Sequence, residues 1–260
     1  MKDYTLGFIG AGRVTKIMLD GFKRAGTFPR QVVATDLKQE TLDALKTRFP
    51  SIDTVLNDNQ KPCAQDLVFL ALHPPAIGAV LDGIRPFVSP NTILVSLAPK
   101  ISIEKISERL GGFKRIVRLL PNAPSIVNAG FNPTTFSPAF ALDEKQDILS
   151  LFRVLGECPE VKEETIEAYA ITTAMGPTYL WFQLDELQKL GETYGLASND
   201  LQSGLKHMVI GAAKTMFESG LSASEVMDLI PVKPLGEDEA GIRSLYKTKL
   251  DALLNKLKAS

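Results

Sequence analysis

Two glycines at the end of the first apolar run could hold the phosphates of a nucleotide. The run reads "TLGFIGAGRVT" over residues 5–15, and a helical pattern follows at once. Gly10 permits a tight turn, and Gly12 lets the backbone approach a pyrophosphate at the helix N-terminus, beside Arg13 and Val14. Thr15 stands where such loops usually have Gly or Ala. The stretch predicts a dinucleotide cofactor.

A carboxylate ends the second apolar run, where dinucleotide-binding chains bind the adenosine ribose. In "QVVATD" that residue is Asp36. Its oxygens can accept hydrogen bonds from the ribose hydroxyls and would repel a 2′-phosphate, which favours NAD over NADP. Arg13 and Lys38 are near in sequence and could offset that repulsion, or they could be solvated surface cations. The cofactor prediction is therefore NAD or NADP, with NAD favoured.

Two proline-containing segments end later apolar runs and could border a nicotinamide. The first, "FLALHPP", contains Ala71, His73 and Pro74; in the second, "LLPNAP", Asn122 lies between two prolines. Because the carboxyl ends of parallel strands form the ligand edge of such a sheet, these segments are predicted to meet the cofactor. His73 is either a proton donor or a residue that only borders the cofactor.

Hydroxyl groups cluster before and at the start of a later helix. In "TTAMGPTYLWF" they belong to Thr173, Thr178 and Tyr179, around a Gly-Pro pair typical of a helix start. Together with His73 they are the candidate catalytic or substrate-facing groups.

The four segments in this order resemble the pyrroline-5-carboxylate reductase family. The resemblance rests on "GFIGAG", "FLALHP", "LLPNAPSIVNAG" and "TTAMGPTYLWF" and runs from Leu6 to about Leu229. It implies an N-terminal Rossmann domain and a C-terminal helical domain that dimerises. It also implies NAD(P)H-dependent hydride transfer to a small-molecule cyclic imine in proline biosynthesis, or less readily to a C=O group.

One segment departs from that family. The loop that holds the substrate carboxylate should lie where this chain has "PVKPLGEDEAG", 231–241, without the paired glycines and threonines. Glu237, Asp238 and Glu239 suit the first turn of a helix, yet they would repel a substrate anion there. We therefore expect poor use of pyrroline-5-carboxylate and a preference for a neutral or cationic imine, unless Lys233 or backbone amides hold the carboxylate. The alternative is a non-catalytic dinucleotide-binding protein.

Alternating apolar and amphipathic segments predict the elements that position these residues. Strand and helix in alternation indicate an α/β, doubly wound sheet of the Rossmann type over residues 1–160. Residues 161–260 predict an all-helical domain, a thin bundle that needs a partner's helices to form a homodimer or higher oligomer. Strands are predicted at 5–10, 31–36, 66–72, 91–97, 115–120 and 131–138, and helices at 13–25, 39–48, 75–86, 102–110, 142–155, 178–194, 201–217, from 222, and at 242–257.

Composition limits the remaining classes of function. The 260 residues carry a formal net charge of −1. The chain thus lacks the excess positive charge typical of proteins that bind nucleic acid or an anionic membrane. Two cysteines and two distant histidines predict neither a disulfide framework nor a metal site. The start of the chain resembles neither a signal peptide nor a membrane span, so the sequence predicts a cytoplasmic protein.

Overall fold

The computed structural model describes residues 2–258 and divides the chain into two compact units. The first contains the residues up to Met175 together with those from Leu253 onward, and the second is Gly176–Ala252. The sequence analysis placed the domain boundary at 160–161, whereas these units part after Met175.

The first unit is built on a seven-stranded sheet. Six strands run parallel in the order β3-β2-β1-β4-β5-β6, and β8 pairs antiparallel with β6 at the edge. The two remaining strands, β7 and β9, form a separate parallel pair. The strands are β1 Leu6–Ile9, β2 Val32–Asp36, β3 Asp53–Leu56, β4 Leu67–Leu70, β5 Ile93–Ser96, β6 Ile116–Leu119, β7 Gly130–Phe131, β8 Thr134–Phe136 and β9 Gly156–Glu157.

The central strands are continuous apolar runs because both faces of the sheet are covered. In β1, Phe8 belongs to one core and Ile9 to the other; in β4, Phe69 and Leu70 divide in the same way. The rings of Phe8 and Phe69 stack with centroids 4.7 Å apart. Helices of the first unit are α1 Arg13–Arg24, α2 Gln39–Arg48, α3 Gln60–Cys63, α4 Pro74–Ile84, α5 Ile103–Arg109, α6 Leu142–Arg153 and α7 Ile166–Tyr169.

Three differences from the predicted elements have simple causes. Strand β3 and helix α3 were not predicted, because both are short and β3 is a half-exposed edge strand with little apolar pattern. The strand predicted over 131–138 is divided into β7 and β8, since Pro133 has no N–H to donate to a ladder.

The second unit is helical, as predicted. It contains α8 Pro177–Thr193, α9 Ser198–Glu218, α10 Ala223–Asp228 and the first part of α11 Glu239–Lys258. The predicted capping box at Ser222 is present, with Ser222 and Glu225 bonding each other's backbone N–H. Within Gly176–Ala252, all of which the structure describes, Gly191 is the only buried residue. The fold class, an α/β Rossmann sheet followed by a helical segment, is confirmed.

Candidate functional site

The glycine loop joins β1 to α1 at the carboxyl edge of the sheet. Gly10 has φ +104°, and a Cβ there would lie 2.4 Å from the Ala71 carbonyl oxygen, so only glycine fits. Gly12 has an ordinary φ of −76° and precedes α1. A Cβ on Gly12 would meet no protein atom within 4 Å, so the space in front of it is open. That opening is where a pyrophosphate would approach the backbone.

The N-terminus of α1 has no acidic residue in its first turn and no side-chain cap. Its free N–H groups and helix dipole therefore favour a bound anion. Arg13 is exposed and Val14 is half-buried against the core. These two residues lie in the first turn of α1, beside the loop.

Thr15 explains the departure from the usual glycine pattern. Its buried hydroxyl donates to the Gly10 carbonyl at 2.7 Å and so ties the turn to the helix. The only sequence signal for this contact was a small β-branched residue in the place of Gly or Ala.

Asp36 is tied to the glycine loop by its own hydrogen bonds. Oδ2 accepts the Ala11 N–H at 2.9 Å, and Oδ1 accepts the Lys38 N–H at 3.0 Å. The carboxylate thus holds the turn after β1 and the turn after β2, a role that has no signal in the sequence. Each oxygen keeps a lone pair for a ribose hydroxyl. The Arg13 and Lys38 side chains are exposed, which leaves the choice between NAD and NADP open.

The end of β4 lies next to the glycine loop. The Ala71 N–H donates to the Ile9 carbonyl at 2.9 Å, and the Ala71 carbonyl is the group that limits Gly10. His73 is exposed and caps α4 in an extended conformation, and Pro74 is the first residue of that helix. The structure therefore places His73 as an exposed residue at the carboxyl edge of the sheet.

Asn122 holds the loop after β6. Its side chain is 7% exposed. Oδ1 accepts the Phe131 N–H at 3.1 Å, and Nδ2 donates to the Thr173 carbonyl at 3.4 Å. One N–H and one lone pair of the amide remain for a ligand. Asn122 and Thr173, far apart in sequence, are thus neighbours in the first unit.

Thr173 lies in a π-helix, Ala170–Ala174, and its hydroxyl donates to the Tyr169 carbonyl at 2.9 Å. Such π-helical turns are rare in proteins, and those that occur are often found at functional sites. No pattern in the sequence pointed to this one.

A buried arginine anchors the segment that leads to the π-helix. Arg118 of β6 is 3% exposed and donates to Glu163 at 3.0 Å and to Glu167 at 2.7 Å. Glu163 also accepts the Ile103 N–H at 2.7 Å, and Glu167 the Lys100 N–H at 3.2 Å. The sequence analysis did not identify this network, whose members are scattered along the chain.

The same network sets the charge state of Glu167. Burial alone would raise the pKa of Glu167, but the hydrogen bond and charge of Arg118, with the Lys100 N–H, outweigh it. The pKa of this carboxyl is held below its usual value, so Glu167 is ionised at neutral pH.

Thr178 and Tyr179 are the other two predicted hydroxyl groups, and both belong to the second unit, in the first turn of α8. The Tyr179 ring meets Tyr246 of α11 edge-on, with centroids 5.7 Å apart. Burial, and then Tyr246, raise the pKa of Tyr179, so its hydroxyl keeps its proton at neutral pH.

The acidic stretch lies at the start of α11. Glu239 is the first residue of the helix, and the backbone carbonyl of Asp238 accepts the Ile242 N–H at 2.9 Å. Glu237, Asp238 and Glu239 are all exposed, and Glu239 pairs with Arg243 at 2.7 Å. Of the three acids predicted for the first turn of this helix, Glu239 lies in that turn, whereas Glu237 and Asp238 precede the helix.

The part of the chain that the structure describes contains no metal site, no membrane-spanning helix and no reactive thiol. Over residues 2–258, no three metal-ligating side chains come together, and no helix has the length and apolar character to cross a membrane. Cys63 and Cys158 are free and buried, and burial raises the pKa of each thiol to about 12. Both thiols stay protonated and unreactive at neutral pH.

Comparison with known proteins agrees with this geometry. The family described as "NADP oxidoreductase coenzyme F420-dependent" matches residues 5–100, which contain the glycine loop. Pyrroline-5-carboxylate reductase from Pisum sativum is 27% identical over 94% of this chain and 88% of its own length. The enzyme of the same name from Escherichia coli is 24% identical over 86% of this chain and 84% of its own.

Solved structures give the same result. A pyrroline-5-carboxylate reductase from Coxiella burnetii is 26% identical, with a TM-score of 0.74 over 98% of both chains. Pyrroline carboxylate reductase from Plasmodium falciparum, solved with NADP bound, is 22% identical, with a TM-score of 0.79 over 100% of this chain and 98% of its own, and shares the fold. The family resemblance predicted from the four motifs is confirmed.

Proposed function

Because this chain is a divergent relative of the pyrroline-5-carboxylate reductases, we propose that it is an NAD(P)H-dependent reductase of a cyclic imine. The observation that carries the proposal is the open space at Gly12, in front of the free N–H groups of α1. A glycine loop that leads into a helix N-terminus at the carboxyl edge of a doubly wound sheet is a feature that dinucleotide enzymes share.

The residues at this edge fit a dinucleotide along its length. Asp36 would receive the adenosine ribose, and Gly10, Gly12, Arg13 and Val14 would surround the pyrophosphate. On the far side of β1, the nicotinamide would lie against Ala71, His73, Pro74 and Asn122, since β4 and β6 end there. The reduced nicotinamide supplies a hydride to the electrophilic carbon of the substrate.

Proton transfer places few demands on the protein. A cyclic imine is basic enough to arrive largely protonated, so hydride addition to C=N yields the neutral amine without a strong acid. That chemistry suits a site whose titratable side chain is an exposed His73. The hydroxyls of Thr173, Thr178 and Tyr179 are proposed as substrate contacts; Tyr179, which keeps its proton, can donate a hydrogen bond.

We also propose that the protein is a homodimer or higher oligomer through its second unit. A helical unit in which only Gly191 is buried has almost no core of its own. Burial of apolar side chains by a second copy would provide the missing stabilisation.

The decisive experiment measures oxidation of NADH and NADPH against cyclic imines and 2-oxo acids, beside a binding titration of each cofactor. We expect turnover of a cyclic imine and none by the Gly12→Val variant, which controls for contaminating reductases. Cofactor binding without turnover of any substrate would instead identify a non-catalytic dinucleotide-binding protein.

A further inference from the structure

Lys100 has a backbone conformation that lysine rarely adopts. Its φ is +81°, and the other non-glycine residues of the described chain with positive φ are both asparagines, Asn57 and Asn128. Asparagine tolerates this region because its short side chain can bond locally, whereas lysine gains no such contact. Strain of this kind persists where the surrounding structure enforces it, and it is concentrated at ligand sites.

The contacts that enforce it are on the backbone and leave the side chain free. The Lys100 N–H donates to Glu167, and Glu167 in turn is held by Arg118 of β6. The Lys100 ammonium makes no hydrogen bond or ion pair with any residue in 2–258, and the side chain is half-buried. The strained backbone therefore presents an uncommitted positive charge.

That charge lies on the substrate half of the site. Asp36 at β2 and the glycine loop at β1 take the adenosine and the pyrophosphate, so the nicotinamide extends over β4 and beyond. Strand β5 is two positions from β1, roughly 10 Å away at the usual strand spacing. Lys100 follows β5, between the strand ends that carry His73 and Asn122.

We propose that Lys100 is a specificity-determining residue that binds the carboxylate of an anionic cyclic imine. The inference rests on the proposed reductase function and deepens it. An ammonium–carboxylate hydrogen bond at a half-buried position changes affinity by roughly ten- to a hundredfold. Lys100 thus supplies the anion contact that the loop 231–241 does not offer.

A purely structural role makes a different prediction. Glu163 and Glu167 together carry one more charge than Arg118 neutralises, and the Lys100 ammonium could merely balance it. Loss of that balance would lower thermal stability and leave the choice between imines with and without a carboxylate unchanged.

The test compares two imines that share a ring, 1-pyrroline-5-carboxylate and 1-pyrroline, which lacks the carboxylate, at saturating cofactor. Variants are Lys100→Met, Lys100→Arg and Lys100→Gly, the last of which removes the charge and suits the positive φ. Lys114→Met, at the amino end of β6 and thus at the opposite edge of the sheet, is the matched control for losing one surface charge.

We expect Lys100→Met and Lys100→Gly to raise the KM for the carboxylate imine at least tenfold. The kcat, the cofactor Kd and the KM for 1-pyrroline should stay within twofold of the parent, and Lys100→Arg should recover most of the affinity. Equal effects on both imines, or a lower Tm with no change in either KM, would overturn the inference about Lys100. Either result would leave the proposed reductase function standing. If the parent protein reduces neither imine, the proposed function fails and the inference fails with it.

Discussion

At the scale of the residue, Gly10 and Gly12 are required for different reasons within one turn. Gly10 is required by the fold, because its φ is positive and Ala71 blocks a side chain. Gly12 has an ordinary φ and empty space in front of it, so nothing in the protein requires glycine there. The proposed pyrophosphate would need that space, which accounts for a glycine at this position.

Gly12→Val should therefore abolish dinucleotide binding and leave the fold intact. The valine side chain would fill the volume that the proposed pyrophosphate needs, and its Cβ would meet no atom within 4 Å beyond the adjoining residues. Calorimetric titration with NADH and NADPH, with a thermal melt, measures both effects. Gly83→Val, at another open glycine in α4, is the control and should bind as the parent does. Unaltered cofactor affinity in Gly12→Val would refute the loop assignment.

Asp36→Ala should weaken both cofactors, and NADH more than NADPH. The general loss follows from releasing the Ala11 N–H and with it the glycine loop. The larger loss for NADH is expected because the variant lacks a carboxylate that would bind the ribose hydroxyls of NADH and repel the 2′-phosphate of NADPH. Affinities of the parent and the variant for each cofactor decide the matter, and a larger loss for NADPH would reverse the NAD preference.

At the scale of the element, the segment that leads to the π-helix is held by Arg118 through Glu163 and Glu167. Glu167→Gln should destabilise the protein by about 1–3 kcal/mol at pH 7, because a charged hydrogen bond is lost. Glu164→Gln, an exposed neighbour, should change little. Chemical denaturation of the three proteins measures the difference, and an equal effect of both variants would show that the network contributes no stability.

The ion pair of Arg118 and Glu167 predicts how the stability of the protein changes with pH. The pKa of Glu167 is lower in the folded protein than its usual value of 4.5. Its contribution is therefore fully present above about pH 4.5 and is lost as pH falls through the lower, folded-state pKa. The stability gap between the parent and Glu167→Gln should narrow on acidification below that pH. A gap that stays constant from neutral to strongly acidic pH would contradict this account.

Helix α11 allows a test of substrate charge that is independent of Lys100. The family resemblance implies that the segment 231–241 meets the substrate carboxylate, so neutralising Glu237 and Asp238 as Gln and Asn should lower the KM for an anionic imine, on the order of two- to fivefold given solvent screening. Glu239 is left in place because it pairs with Arg243. The KM for 1-pyrroline, which lacks the carboxylate, is the control, and equal changes for both imines would show that these acids do not act on the substrate carboxylate.

The elements were predictable where pattern and packing agree. The apolar runs of β1, β4 and β5 and the helix that follows Gly12 needed only local sequence, because each is buried on both faces or opened by a clear signal. The contacts that complete the candidate site were not predictable, since Arg118, Lys100 and Glu167 meet through the fold. A positive φ at a lysine has no sequence signature.

At the scale of the whole molecule, the two units differ in how much apolar core each one buries. The first has two cores, one on each face of its sheet. The second has large apolar side chains on its surface, including Phe182 at 66% exposure and Phe217 at 84%. An exposed apolar surface of this extent indicates an interaction site. The sequence predicted this need for a partner from the thinness of the bundle.

The predicted dimer can be tested by placing a charge on that surface. The parent should have at least twice the mass of one chain in light scattering at micromolar concentration. Leu187→Asp, on α8 where the leucine is 43% exposed, should shift the mass toward the monomer or reduce helical circular dichroism. A carboxylate buried at an interface is costly, and a unit with only Gly191 buried has little stability to lose.

Gln183→Asp, an exposed polar position on the same helix, should leave the mass unchanged. A monomeric parent with an intact second unit would show that these helices are stable without a partner, and the proposed assembly would be wrong.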